Sequence, residues 1–191
     1  MDLLENCLPP RLEPLVLPWP SRGNPAGLMQ FHEVSQWQKF LRDLDLDVRV
    51  PAVVRLKYAR AQKLYLLGWS DAELIKAGEL VALTALEIAL VGSHGGRVAK
   101  NKRTLAALLK HLVEYDGLSD DNLPIAVRCN ACVVGQLTGE SEPTLAQLRN
   151  KMAHGDPFDG LPYAGLLELV RDLINFAYRG LITEHRLGDN M

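Results

Sequence analysis

The chain has 191 residues, with 21 Lys and Arg against 23 Asp and Glu and a formal net charge of −2. That length suits one domain with an appendage and can bury a substantial core. The charge balance excludes a broad basic field for non-specific nucleic-acid binding, but leaves room for a small site built from a few local cations.

Residues 1–30 read as a proline-rich extended arm. Pro9, Pro10, Pro14, Pro18, Pro20 and Pro25 each fix φ and remove a donor, so neither a long helix nor a central strand is expected there. Leu12, Leu15, Val16, Leu17 and Trp19 lie between them, more apolar surface than a solvated linker carries. The arm is expected on the body of its own or a neighbouring subunit; the same composition also suits a polyproline ligand for a partner. The opening Met-Asp-Leu-Leu-Glu-Asn-Cys has neither the basic nor the apolar region of a secretory signal.

Val34, Trp37, Phe40, Leu41 and Leu44 recur at helical spacing, predicting a helix over 34–44. Asp43, Asp45 and Asp47 follow. They resemble half of a calcium loop, but the Gly and the closing Glu that such a loop needs are missing, so a solvated helix end is expected. Pro51 opens a second helix, and Gly68 ends it near Leu67. Ser70 with Glu73 fits a capping box for a long helix over 71–91. Leu80, Leu83, Leu86, Leu90 and Val91 among alanines make that helix apolar on most sides, suiting the centre of a bundle or a dimer interface. Its apolar run is too short for a membrane span and contains Glu87, which reads first as a surface glutamate.

Gly92-Ser93-His94-Gly95-Gly96 reads as a loop and lacks the Lys-Ser/Thr of a phosphate-binding P-loop. Arg97, Lys100, Lys102 and Arg103 follow without an acid between them. They form the chain's basic cluster, either a solvated loop or an RNA-backbone contact. Thr104 caps a helix to about Tyr115, with Leu105, Leu108, Leu109 and Leu112 inward. Residues 124–137 form an apolar element whose pattern does not fix its type; the helical body on either side favours a single helix. Cys129 and Cys132 within it have no second pair to complete a zinc site, so buried thiols are expected. Three cysteines in all suit a reduced, cytoplasmic setting. Residues 161–181 are the last expected helix.

Between these elements lies Leu145-Ala-Gln-Leu-Arg-Asn-Lys-Met-Ala-His-Gly155. Leu145, Leu148 and Met152 form a buried stripe, Asn150 and His154 share a face, and Gly155 with Pro157 is a stop signal. An arginine fork, an amide and an imidazole meet at one helix end, where a phosphate can be held and a proton moved. Leu148-Arg149-Asn150-x-x-Ala153-His154-Gly155 resembles the signature of the HEPN superfamily (higher eukaryotes and prokaryotes nucleotide-binding domains). There an Arg, usually followed by a polar residue such as Asn, precedes a His after four to six residues. Arg179 and His185 also meet the bare spacing, but lack the Asn, the Ala-His-Gly and the Leu-x-x-Leu.

Periodicity and capping predict an all-α bundle of about five core helices, within a domain over 31–185; the resemblance, which covers about residues 51–181, implies that the bundle is HEPN-like. It implies a homodimer in which two motifs meet across a cleft, and a metal-independent endoribonuclease of toxin or phage-defence type, needing no cofactor. The ribose 2′-hydroxyl attacks the adjacent phosphate, leaving a 2′,3′-cyclic phosphate and a 5′-hydroxyl. His154 is then the general base or acid, Arg149 stabilises the phosphorane, and Asn150 orients either group. Ala85-Leu86-Glu87-x-Ala89-Leu90 is similar to the second long helix of the family, which makes Glu87 a supporting residue. A cognate antitoxin or nucleotidyltransferase partner is implied too. In one paired group the modified residue is a Tyr two positions after the His, and here that position is Asp156. Two other readings are open: a non-catalytic HEPN module that binds a nucleotide or a protein, and a structural helical dimer in which the motif is accidental.

Overall fold

A computed structural model describes residues 8–155 and 160–188, with only the backbone of Lys102 and of residues 184–188. Cys7, Asp156 and the side chain of His185 therefore lie outside the described residues. The fold is mostly helical, and the arm contributes a small antiparallel ribbon. Strand β1 (Leu15–Pro18) pairs with β2 (Leu28–Phe31), Leu15 opposite Phe31 and Pro18 opposite Leu28. Alternation turns Leu15 and Leu17 into the core and leaves Val16 exposed. Trp19 is buried edge-on against Phe40, and its indole N–H donates to Glu168 at 2.9 Å. Trp69 in turn donates to the Pro9 carbonyl at 2.8 Å. The arm thus packs on the body of its own chain. Prolines confined to strand ends and turns permit a short ribbon that their number alone does not announce.

Helix α1 (Val34–Arg42) starts at a capping box between Glu33 and Gln36 and buries Trp37 and Leu41. It ends two residues before the expected Leu44. Asp45 accepts from Gln62 at 2.7 Å, and Asp47 grips Arg49 at 2.7 and 2.6 Å, so these carboxylates serve local clamps. Helix α2 (Ala52–Leu67) follows Pro51 and stops at Gly68, where a Cβ would come within 2.4 Å of Ile75 Cγ1.

Helix α3 (Glu73–His94) is central: Ala82, Leu83, Ala85, Leu86, Ala89 and Leu90 are buried as α2 and three later helices, Leu105–Asp116, Leu145–Ala153 and Leu166–Ala177, close around it. Two expectations fail here. Ser70 is not its cap; the Asp71 carboxylate accepts the Glu73 N–H at 3.0 Å instead. The helix also runs on through Gly92, Ser93 and His94, which are not loop. Glycine inside a helix costs about 1 kcal/mol relative to Ala, but a Cβ at Gly92 would lie 2.9 Å from the Tyr178 hydroxyl. Close packing of that tyrosine outweighs the local preference for a break.

Helix α4 (Leu105–Asp116) has the expected Thr104 cap, which accepts the Ala107 N–H at 3.3 Å, and ends at Gly117 with φ +76°. The single helix expected over 124–137 is two: α5 (Pro124–Cys129) and α6 (Val134–Thr138), separated at Asn130, which is left-handed with φ 54°. Asp120 starts α6 by accepting the Val133 and Val134 N–H groups at 2.8 and 3.0 Å. Cys129 is buried but Cys132 is exposed, so only one of the two thiols is where it was expected. After α7 (Leu145–Ala153), the helix expected over 161–181 divides into α8 (Leu166–Ala177) and α9 (Arg179–Gly188). Gly165, at φ +69°, delays the start; a Cβ there would meet Pro20 Cδ at 2.7 Å. Among the described residues no helix is long and apolar enough to cross a membrane.

Candidate functional site

A reciprocal capping box fixes the start of α7. The Gln147 N–H donates to Thr144 Oγ1 at 3.1 Å, and the Thr144 N–H donates to Gln147 Oε1 at 2.8 Å. Leu145 is fully buried and Leu148 and Met152 are half-buried, so the helix is docked against α3, α4 and α6 along the expected stripe. That docking points Arg149 at α3. Its Nη2 donates to Glu87 Oε2 at 2.7 Å and its Nη1 to Asn150 Oδ1 at 3.2 Å. The Arg149 Nε is buried and has no hydrogen-bond partner. A buried donor left unmade costs about 1–3 kcal/mol.

His154 ends the helix. Its backbone N–H donates to the Asn150 and Lys151 carbonyls at 3.0 and 3.1 Å, and Gly155 turns the chain away at φ +86°. The imidazole is exposed, and among the described residues it makes no hydrogen bond or ion pair. The structure therefore brings the side chains of Arg149, Asn150 and Glu87 together, with the His154 imidazole on the same helix end but not bonded to them. Glu87 does not sit on a solvated stripe: its side chain is 27% exposed and held by Arg149. It also lines a groove of about 550 Å³ with Val53, Val54, Ile88 and Val91. Val53 and Val91 are 61% and 40% exposed, so this groove has an apolar rim.

The basic cluster is less uniform than its sequence. Arg97 reaches Asp116 at 3.3 Å, and Arg103 donates to the Val98 carbonyl at 3.1 Å. Lys100 is exposed on a single turn, and the Lys102 side chain lies outside the described residues. Arg179, the cation of the second Arg–His spacing, is held by Asp116 at 2.8 Å and lies over the Phe176 ring at 4.0 Å, so it serves a different part of the fold.

Three buried or half-buried groups carry no local motif: Glu79, His94 and Asp116. Glu79 is fully buried, and burial pushes its carboxyl up to about 7 against the opposing pull of Lys76 at 3.7 Å. Burial also pushes the His94 imidazole down, although Asp116 beside it opposes the change. The hydrogen bond from Arg179 holds Asp116 well below the usual carboxylate range. Lys76 lies one helical turn from Glu79, but the Tyr163 N–H that bonds Glu79, the Asp116 carboxylate that bonds His94 and the Arg179 that bonds Asp116 come from distant elements, and residue spacing gives no sign of them. Family models, curated proteins and solved structures yield no match to this chain.

Proposed function

We propose that the end of α7 is the active site of a HEPN-type endoribonuclease that works as a homodimer and requires no metal. The observation that carries this reading is the Arg149 guanidinium. It is positioned by Glu87 and Asn150, yet keeps one buried donor without a partner, beside an exposed imidazole at the same helix end. His154 takes the proton of the ribose 2′-hydroxyl, and the 2′-oxygen bonds the adjacent phosphorus. Arg149 stabilises the added charge on the phosphorane. The P–O5′ bond breaks, and the 5′-oxygen takes a proton from an acid at the site, with His154 of a second subunit suited to give it. The products are a 2′,3′-cyclic phosphate and a 5′-hydroxyl. The attacking group belongs to the RNA itself, so the step needs no metal-activated water.

The dimer reading rests on the groove beside Glu87. Val53 and Leu56, 61% and 65% exposed, lie on one face of α2, and Val91 lies on α3. A two-fold contact there would cover this apolar surface and set two Glu87–Arg149 pairs near each other.

A non-catalytic module binding a nucleotide or a protein partner is the second reading. It is favoured by the ion pair itself, because Glu87 already offsets the charge that a phosphate would seek. One experiment separates the two. Purified protein is incubated with unstructured and structured RNAs in EDTA, beside Arg149→Ala and His154→Ala. Ribonuclease function predicts cyclic-phosphate ends and a loss of roughly 10²–10⁴ in each variant. Intact RNA in every sample, with nucleotide or protein bound at this surface, selects the second reading.

A further inference from the structure

Ser93 and His94 end α3, Asp116 ends α4, and all three line a polar cavity of about 410 Å³. Ser93 Oγ lies 2.6 Å from His94 Nδ1, and His94 Nε2 lies 2.9 Å from Asp116 Oδ2. With a neutral imidazole only one proton arrangement satisfies this line: Nε2–H donates to the carboxylate, and Nδ1 accepts the serine hydroxyl. The surroundings favour that state, since burial disfavours the imidazolium and Arg179 keeps Asp116 ionised. The serine proton has a second acceptor, the Ala89 carbonyl at 2.9 Å, and the hydroxyl can turn to either. Nucleophile, base and orienting carboxylate are thus in hydrogen-bond sequence, the arrangement that activates a hydroxyl.

Two cations line the same cavity, and they differ. Arg179 is fixed, donating to the Asp116 carboxylate at 2.8 Å and to the Asp116 carbonyl at 2.9 Å. Arg97 is 61% exposed and touches Asp116 only at 3.3 Å, so it is able to turn toward an anionic ligand. The volume suits a small molecule.

We propose that Ser93, His94 and Asp116 form a nucleophilic triad, separate from Arg149 and His154, that hydrolyses small esters carrying an anionic group. Ser93 Oγ bonds the ester carbonyl carbon while its proton passes to His94 Nδ1. The C–O bond to the alcohol breaks, and the alcohol leaves with that proton, so Ser93 is acylated. Water then attacks the acyl carbon, giving its proton to His94. The acid departs, and the proton returns to Ser93 Oγ. Asp116 holds the ring throughout, and Arg97 binds the anionic group.

The test uses the full chain with a fluorophosphonate probe, mapped by peptide mass spectrometry, and with 4-nitrophenyl succinate and 4-nitrophenyl acetate as substrates. The expected result is one label per chain on Ser93, lost in Ser93→Ala and slowed about 10²-fold in His94→Gln. Arg97→Ala should raise KM for the succinate ester and leave that for the acetate ester alone. Labelling of the unmodified chain should be complete at neutral pH and fall in acid, with a midpoint below about 6.5, the ordinary histidine value. This profile tests the base even where His94→Gln does not fold. Label spread over surface serines, a His94→Gln rate equal to the parent's, or a rate flat through the acid range would overturn the proposal.

Discussion

Arg149 on α7 and Glu87 on α3 are joined at 2.7 Å across 62 residues of sequence. The pair has two opposing effects on a phosphate. It fixes the plane of the guanidinium, which favours bidentate contact. It also places a carboxylate next to the cation, which weakens attraction for an incoming anion.

Glu87→Gln separates these effects. The amide oxygen can still accept from Arg149, but the negative charge is gone. RNA should bind several-fold more tightly, while single-turnover cleavage falls roughly tenfold through looser placement of the fork. Filter binding and quenched-flow cleavage measure the two independently. Weaker binding together with unchanged cleavage would show that Glu87 does not position Arg149.

The arm supplies the second test. Trp19 is 2% exposed and bonded to Glu168, which also accepts from Arg128 at 2.7 Å. Trp19→Ala removes a large core side chain and leaves part of that buried polar network short of a donor. It should cost about 3–5 kcal/mol in urea unfolding. A cost under about 1 kcal/mol would mean the ribbon is peripheral to the core.

Much of the helical body was legible because its signals are local. Pro51 and Gly68 bracket α2, Thr104 caps α4, and Leu145 begins the buried stripe of α7. The errors have a common cause. Gly92 looks like a breaker until Tyr178 packs against it, and Asn130 interrupts an apolar run that periodicity alone continues. Within the site, spacing put Arg149, Asn150 and His154 on one helix end, and the apolar run around Glu87 marked it for attention. That Glu87 holds Arg149, while His154 is bonded to neither, depends on how α3 and α7 dock. The convergence of His94, Arg97 and Arg179 on Asp116 joins three segments, and no window of sequence contains it.

The proposed dimer is tested at Val53. It is 61% exposed on the rim of the groove that Glu87 lines, so Val53→Glu places a charge on the contact face without entering the core. A burial that removes both copies of an exposed apolar residue from water opposes such a charge strongly. Light scattering at micromolar concentration should give a dimer for the parent chain and a monomer for Val53→Glu, with unchanged circular dichroism. Equal masses for the two proteins would move the interface elsewhere.

Glu79 ties the segment after α7 to α3, because its carboxylate accepts the Tyr163 N–H. Burial raises its folded value from 4.5 to about 7, with Lys76 at 3.7 Å opposing the rise, and its Oε2 has no hydrogen-bond partner. The folded chain therefore binds a proton that the unfolded chain has released over that interval. Stability from this group is fully present below about pH 4.5 and is lost as the pH rises toward 7; above that it changes little. The full difference is on the order of 3 kcal/mol. Glu79→Gln keeps an acceptor for Tyr163 and removes the titration. Urea unfolding of the parent and Glu79→Gln at intervals from pH 4.5 to 8 should show the variant gaining on the parent as the pH rises, and the gain levelling off above about 7. A constant difference across that range would mean that Glu79 does not titrate there in the folded chain.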